Sequence, residues 1–304
     1  MSRGKILVIR GGAIGDFILT LPVFSALRAQ FPDSHLEVLG YPHIAQLAHA
    51  GGLVNKVQAI EARELAGFFA RNGELSEDLR DYFSEFNIII SYLYDPDEIF
   101  KTNLLRCAHG QFIQGPHRPD EEAGLHATRT YLKPLERLAI FDADSVPRLS
   151  INHKQSTINQ IAFHPGSGSD KKNWPEAKWA ELLSNLSEKT KYNFLLIGGE
   201  VEAERLPRLA AKVPGDRVQV AQSLPLAELA ARLQSSIAFV GHDSGISHLA
   251  AALGVPSLVL WGNTREEIWQ PQGEHVSVIR ESTGLSKLTP QRVIEEIARV
   301  LFKV

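Results

Sequence analysis

A single cysteine, Cys107, leaves no partner for an intrachain disulfide, and so little thiol fits a reducing compartment. No apolar run approaches the roughly 20 residues needed to cross a bilayer. The N-terminal apolar stretch, Ile6 to Ile9, is a first strand and too short for a signal-peptide core. Neither charge sign dominates: 32 Lys and Arg stand against 35 Asp and Glu, a net charge of -3, which speaks against a nucleic-acid partner. Gly11, Gly12 and Gly15 do not make GxGxxG, and no acidic residue closes the second strand. GxxxxGK[ST] is absent as well, so neither a dinucleotide fingerprint nor a Walker loop is present. These absences leave a soluble, cytoplasmic chain of 304 residues with room for two domains, each with its own core.

What is present is alternation. Short apolar runs at 5–9, 36–39, 57–60, 86–91 and 112–115 read as strands separated by helical stretches. A second block follows, with strands at 158–163, 194–197, 218–220, 237–240 and 257–261. Pro22 should start a fresh helical turn, and 126–138 should be helical with Tyr131 and Leu135 facing inward. Between the blocks, the polar, proline-containing stretch 142–157 is the natural boundary, giving domains 1–150 and 151–304. Nine or ten strands in two such blocks predict two doubly wound α/β domains facing across a cleft, with glycine-rich turns after the strands lining it.

Three stretches carry candidate chemistry. The first is Gly11-Gly12-Ala13-Ile14-Gly15-Asp16 after strand one. Asp16 is either a first-turn carboxylate favouring a helix dipole or a general base at the C-terminal edge of the sheet. The second is the loop from His164 to Pro175, with glycines for close approach, the hydroxyls of Ser167 and Ser169, and Lys171 and Lys172. The third is Ile237 to Thr264, a strand, the turn Gly241-His242-Asp243-Ser244-Gly245, a small-residue helix and a second strand. Its turn is either an ordinary helix cap or an anion site, where free N–H groups and the helix dipole meet a phosphate. Asp95-Pro96-Asp97 has the outline of a DxD metal motif, but the proline and the loop setting make it a turn, and no metal is expected.

The string DSGxxHLAAALGVP at 243–256, the segment from Ile6 to Leu39, and the lysine two before Trp174-Pro175 together resemble glycosyltransferase family 9, the lipopolysaccharide heptosyltransferases. The resemblance spans nearly the whole chain, with its motifs in the family's order. It implies a GT-B fold and an inverting, metal-independent transferase with no cofactor beyond a nucleotide-sugar donor, ADP-heptose. The implied acceptor is a glycolipid, an inner-core lipopolysaccharide sugar at the inner face of the cytoplasmic membrane, with peripheral membrane contact and a monomeric enzyme. It makes Asp16 the catalytic base and places Lys172 and a hydroxyl, Ser167 or Ser169, on the donor diphosphate. The amides of Ser244 and Gly245 join them. Asp243 would meet the donor sugar, Glu228 the ribose, and His248 the donor or the core behind it; Gly12 and Arg118 fall to the acceptor. It also suggests that the last helix, 289–302, crosses back to the first domain. One departure concerns the acceptor: Arg63, Arg71, Arg106, Arg118 and Arg129 are a sparse basic set for a phosphorylated substrate. A family member with another donor or acceptor, a protein included, and a catalytically silent nucleotide-sugar binder are the alternative readings.

Overall fold

A computed structural model describes residues 4–151, 158–169, 172–281 and 284–302. Residues 152–157 of the expected boundary and Asp170-Lys171 of the loop after the sixth strand lie outside them. The chain divides into two compact units, Met1–Ser145 and Val146–Val304.

In chain order the first unit comprises β1 (Lys5–Arg10), α1 (Ile14–Ile18), α2 (Leu21–Gln30), β2 (His35–Gly40), α3 (Pro42–Ala50), β3 (Lys56–Ala59), α4 (Glu77–Ser84), β4 (Ile88–Ser91), α5 (Ile99–Leu104), β5 (Gln111–Gln114) and α6 (Ala127–Leu132). Its five strands are all parallel, in the order β3-β2-β1-β4-β5. The central strand β1 is apolar almost throughout because both faces of a doubly wound sheet are covered. Pro22 stands in the first turn of α2, where its missing N–H costs nothing, so the helical run breaks into α1 and α2. Tyr131 and Leu135 are both fully buried, on α6 and the 3₁₀ turn that continues it.

The second unit comprises β6 (Ile158–His164), α7 (Glu176–Lys189), β7 (Asn193–Gly198), α8 (Arg205–Ala210), β8 (Val218–Gln222), α9 (Leu226–Gln234), β9 (Ser236–His242), α10 (Gly245–Ala252), β10 (Ser257–Trp261), α11 (Glu266–Trp269), β11 (Val276–Arg280) and α12 (Pro290–Phe302). Its sheet is also parallel, ordered β11-β10-β9-β6-β7-β8. Among the described residues an eleventh strand exceeds the nine or ten expected: β11 is a short edge strand, half-buried over its first three residues, and lacks a continuous apolar run. The last helix packs into the core of its own unit. Val293, Ile297 and Val300 recur at helical spacing and are buried in the second unit's own core, with α12 against α7, β9 and β10.

Both sheets reverse winding direction once. In the first unit the chain winds outward from β1 through β2 to β3, then returns to the other side with β4 and β5. In the second it winds from β6 through β8, then returns with β9 to β11. The switch points therefore lie between β1 and β4 and between β6 and β9. At such points the loops leaving the carboxyl ends of neighbouring strands diverge and open a crevice.

Candidate active site

In the first unit the loop after β1 carries Asp16 as the third residue of α1. Its Oδ2 accepts the Ala13 amide at 3.1 Å, which holds the carboxylate over its own helix N-terminus. Gly12 makes this possible. Its φ of +102° disfavours any side chain, and a Cβ there would stand 3.1 Å from Asp16 Oδ2. The Asp16 side chain is 23% exposed, so the group is anchored yet reachable.

Beneath it lies Arg10, the last residue of β1 and only 2% exposed. Its Nη2 donates to the Asp16 carbonyl at 3.1 Å and its Nη1 to the His117 carbonyl at 2.9 Å. The guanidinium covers the Tyr131 ring at 4.5 Å and stands 3.9 Å from Asp16 Oδ1. One buried cation thus ties the β1 loop to the loop after β5 and to α6. Arg118 follows His117, and partial burial, then the charges of Arg118 and Arg10, lower the His117 pKa against the pull of Asp16. Tyr94, leaving β4, packs on His117 with centroids 4.6 Å apart. Gly12, Asp16 and the Arg118 loop therefore share one sheet edge. Arg10 escaped the sequence reading, although an arginine closing an otherwise apolar strand is a legible signal, since burying such a charge demands partners.

In the second unit the loops after β6, β9 and β10 meet on Asp243. Lys172 Nζ stands 2.6 Å from Asp243 Oδ2, and Thr264 Oγ1 donates to the same oxygen at 2.6 Å. Ser244 caps α10, its Oγ accepting the Ser247 amide at 3.4 Å and lying 3.2 Å from His164 Nδ1. In the first turn of α10 the Ser247 and His248 amides are taken by the Ser244 carbonyl, while those of Gly245 and Ile246 lie ahead of the first helical hydrogen bond at the positive end of the dipole. Ser167 is buried and turned into its loop, its Oγ 2.8 Å from both the Ser169 carbonyl and Asn173 Oδ1. Ser169 is only half-buried.

Two histidines lie under this cluster. Burial, with His242 adding to it, pushes His164 down to about 3. Burial also holds His242 at about 4, its hydrogen bond to the Gly166 carbonyl opposing the shift. Both rings are neutral at pH 7.

Two further sequence candidates remain. Glu228 accepts Arg232 Nη2 at 2.7 Å one turn along α9, and it lines a hollow with Gln160, Gln219 and Ser235. His248 is buried in α10. Among the described residues no group of three or more His, Cys, Asp or Glu is arranged to hold a metal ion. Asp95 accepts the amides of Phe100 and Lys101 at the start of α5, and Asp97 stands 3.5 Å from Arg71. No described helix is long and apolar enough to cross a membrane.

The family model of Glycosyltransferase family 9 (heptosyltransferase) matches residues 138–297. Lipopolysaccharide heptosyltransferase 1 of Escherichia coli K12 is 32% identical over an alignment of 323 positions, covering 97% of this chain and 99% of that protein. Among solved structures, a glycosyl transferase family 9 protein from Veillonella parvula superposes with a TM-score of 0.81 at 20% identity, covering 100% of this chain and 99% of the other. An E. coli heptosyltransferase solved with ADP gives 0.77 at 22%, covering 97% and 99%. The shared fold is that of two parallel-sheet α/β domains of the GT-B type.

Proposed function

We propose, for a chain that belongs to glycosyltransferase family 9 and is therefore a glycosyltransferase, that it moves a heptose from ADP-heptose to an inner-core lipopolysaccharide sugar, inverting the anomeric carbon. Asp16 takes the proton of the acceptor hydroxyl as that oxygen attacks. The new glycosidic C–O bond forms while the bond from the anomeric carbon to the diphosphate breaks, and ADP departs with the electron pair. General-base aid of this kind contributes roughly 10²–10⁴ in rate.

One observation carries the reading. At the β6/β9 switch point a lysine and the first turn of an eight-residue helix stand on either side of Asp243. A cation beside preorganised amides suits the charge that develops on a leaving diphosphate. Lys172 would exchange its hold on Asp243 for phosphate oxygen when the donor arrives, freeing Asp243 for sugar hydroxyls. Ser169, the more accessible hydroxyl of its loop, serves the diphosphate better than Ser167. With charge neutralised by these groups, the reaction as proposed uses no metal. Gly12 shapes the loop that presents Asp16, and Arg118 attends the acceptor side. Glu228, engaged with Arg232, is left out of the donor set, and His248 acts from behind the cap. The whole-length identity with a lipopolysaccharide heptosyltransferase supports the donor and acceptor classes. We place the enzyme, as a monomer, at the inner face of the cytoplasmic membrane.

Calorimetry of the full chain against ADP, UDP, GDP and CDP, without added metal, tests the donor. Selective binding of ADP is the expected outcome. Preference for another nucleotide would overturn the donor, and binding of none would overturn the transfer reading itself.

A further inference from the structure

The loop between β6 and α7 holds Ser167, Ser169 and Lys172, and both its ends are fastened to one imidazole. His242, the last residue of β9, is fully buried. The Trp174 amide, at the far end of the loop, donates to His242 Nε2 at 2.8 Å. A ring nitrogen that accepts an N–H carries no proton, so the neutral ring bears its proton on Nδ1. Nδ1 lies 3.2 Å from the Gly166 carbonyl, at the near end of the loop, and donates to it. The hydrogen-bond pattern thus specifies the tautomer.

Neighbouring groups hold this arrangement in place. Trp179 meets the imidazole edge-on with centroids 5.4 Å apart and planes at 90°. Arg205 Nη1 donates to the Pro165 carbonyl at 3.1 Å, one residue before Gly166. Gly166 itself lies against the Glu202 carboxylate, where a Cβ would not fit. Trp174 Nε1 donates to the Leu288 carbonyl at 3.1 Å. The residue after His242 is Asp243, the partner of Lys172. The strand that presents Asp243 therefore also fixes where the lysine-bearing loop begins and ends.

We propose that His242 is a positioning residue for the nucleotide-sugar donor, a clasp that joins the two ends of the 166–174 loop and so sets where Lys172 and Ser169 stand relative to the first turn of α10. The proposal rests on the donor reading above. It differs from a plain packing role in what it requires of the side chain: one acceptor and one donor, aimed in opposite directions. Glutamine can meet that requirement, since its amide oxygen accepts and its NH₂ donates. Leucine fills similar space and does neither.

The test compares the parent, His242→Leu and His242→Gln as full chains, reading ADP affinity, donor KM and kcat alongside thermal midpoints. His242→Leu should weaken ADP binding and raise donor KM by about tenfold or more, as expected when two buried hydrogen bonds are lost. Acceptor KM should change less, and His242→Gln should recover most of the loss. Leucine and glutamine variants that bind ADP equally would overturn the proposal, whether both are impaired or neither. If the leucine variant does not fold, ¹⁵N-histidine NMR of the parent decides the question. The clasp requires a protonated Nδ1 and a bare Nε2 at neutral pH, together with a Trp174 amide protected from exchange, and an Nε2–H tautomer would overturn it. A parent that binds no nucleoside diphosphate refutes the donor reading instead, and the tautomer still tests the clasp.

Discussion

The two switch points have the same topology and opposite chemistry. At β1/β4 the crossing loop leads into α1, five residues long, with an alanine at its N-cap and a carboxylate in its first turn. Whatever positive field that short helix offers is answered by Asp16 itself. At β6/β9 the loop leads into α10, eight residues long with a serine cap and no acid in its first turn, and Lys172 stands over the preceding aspartate. The cations differ too. Arg10 is buried beneath its carboxylate and donates to backbone carbonyls, so it shapes the loop. Lys172 is about a third exposed, at 37% for its side chain, and reaches its partner from the solvent side. A doubly wound sheet thus decides where a ligand binds, and the residues beyond each strand decide which charge it is offered.

The sharpest way to break this contrast is Asp16→Ala. Under the division of roles proposed here, kcat should fall by roughly 10²–10⁴ while ADP affinity stays near that of the parent. Retained activity, measured by release of ADP with acceptor present, would refute the base assignment. Lys172→Ala should act on the other unit, weakening ADP binding about 10- to 100-fold, in the range expected for a charge-assisted hydrogen bond to phosphate, and slowing transfer as well. An ADP titration that superimposes on the parent's would show that Asp243 is its only partner.

Acid should act next, and on the second unit. His164 and His242 lie near 3 and 4 when folded, against about 6.5 in an unfolded chain, so below pH 6.5 the unfolded state binds more protons. Their contribution to stability is intact above pH 6.5 and is lost as pH falls towards 4, at no more than about 1.4 kcal/mol per pH unit for each ring. Thermal midpoints measured across that window should fall more steeply for the parent than for a His164→Asn, His242→Gln variant. The smallest effect belongs to Glu228→Gln. An exposed pair one helical turn apart contributes only about 0.3–0.5 kcal/mol, so ADP affinity should stay within about twofold. A larger loss would place Glu228 on the ribose after all.

Much of the scaffold was legible because it depends on local patterning. Ser257–Trp261 matches its expected span to the residue, and β6, β7 and α7 differ only at their ends, since fully buried strands and a long amphipathic helix announce themselves in composition. Several of the elements left unread are short or sit at an edge. They include α5, with six residues and a left-handed Glu98 at its N-cap, α8, which contains Pro207, and the edge strand β11. Around the candidate site, Asp16, Asp243, Ser244 and Lys172 were visible as residue types in suggestive turns. The roles of Thr264, His242 and Arg10 were not, because each acts through partners 6 to 107 positions away in the chain.

By itself, then, the sequence determined two parallel α/β blocks, the turns where ligands could bind, and the family to which the chain belongs. The first two follow from hydrophobic period and turn chemistry and the third from the resemblance of its motif strings to a known family, all of them readable along the chain. Only the tertiary structure decided the order of the strands, and with it which loops share a switch point. It turned α12 into a core element of the second unit, gave the Asp95 carboxylate to a helix N-terminus, and engaged Glu228 with Arg232. It also fixed the proton on His242 Nδ1, because a tautomer is set by the direction of hydrogen bonds from residues that only folding brings together.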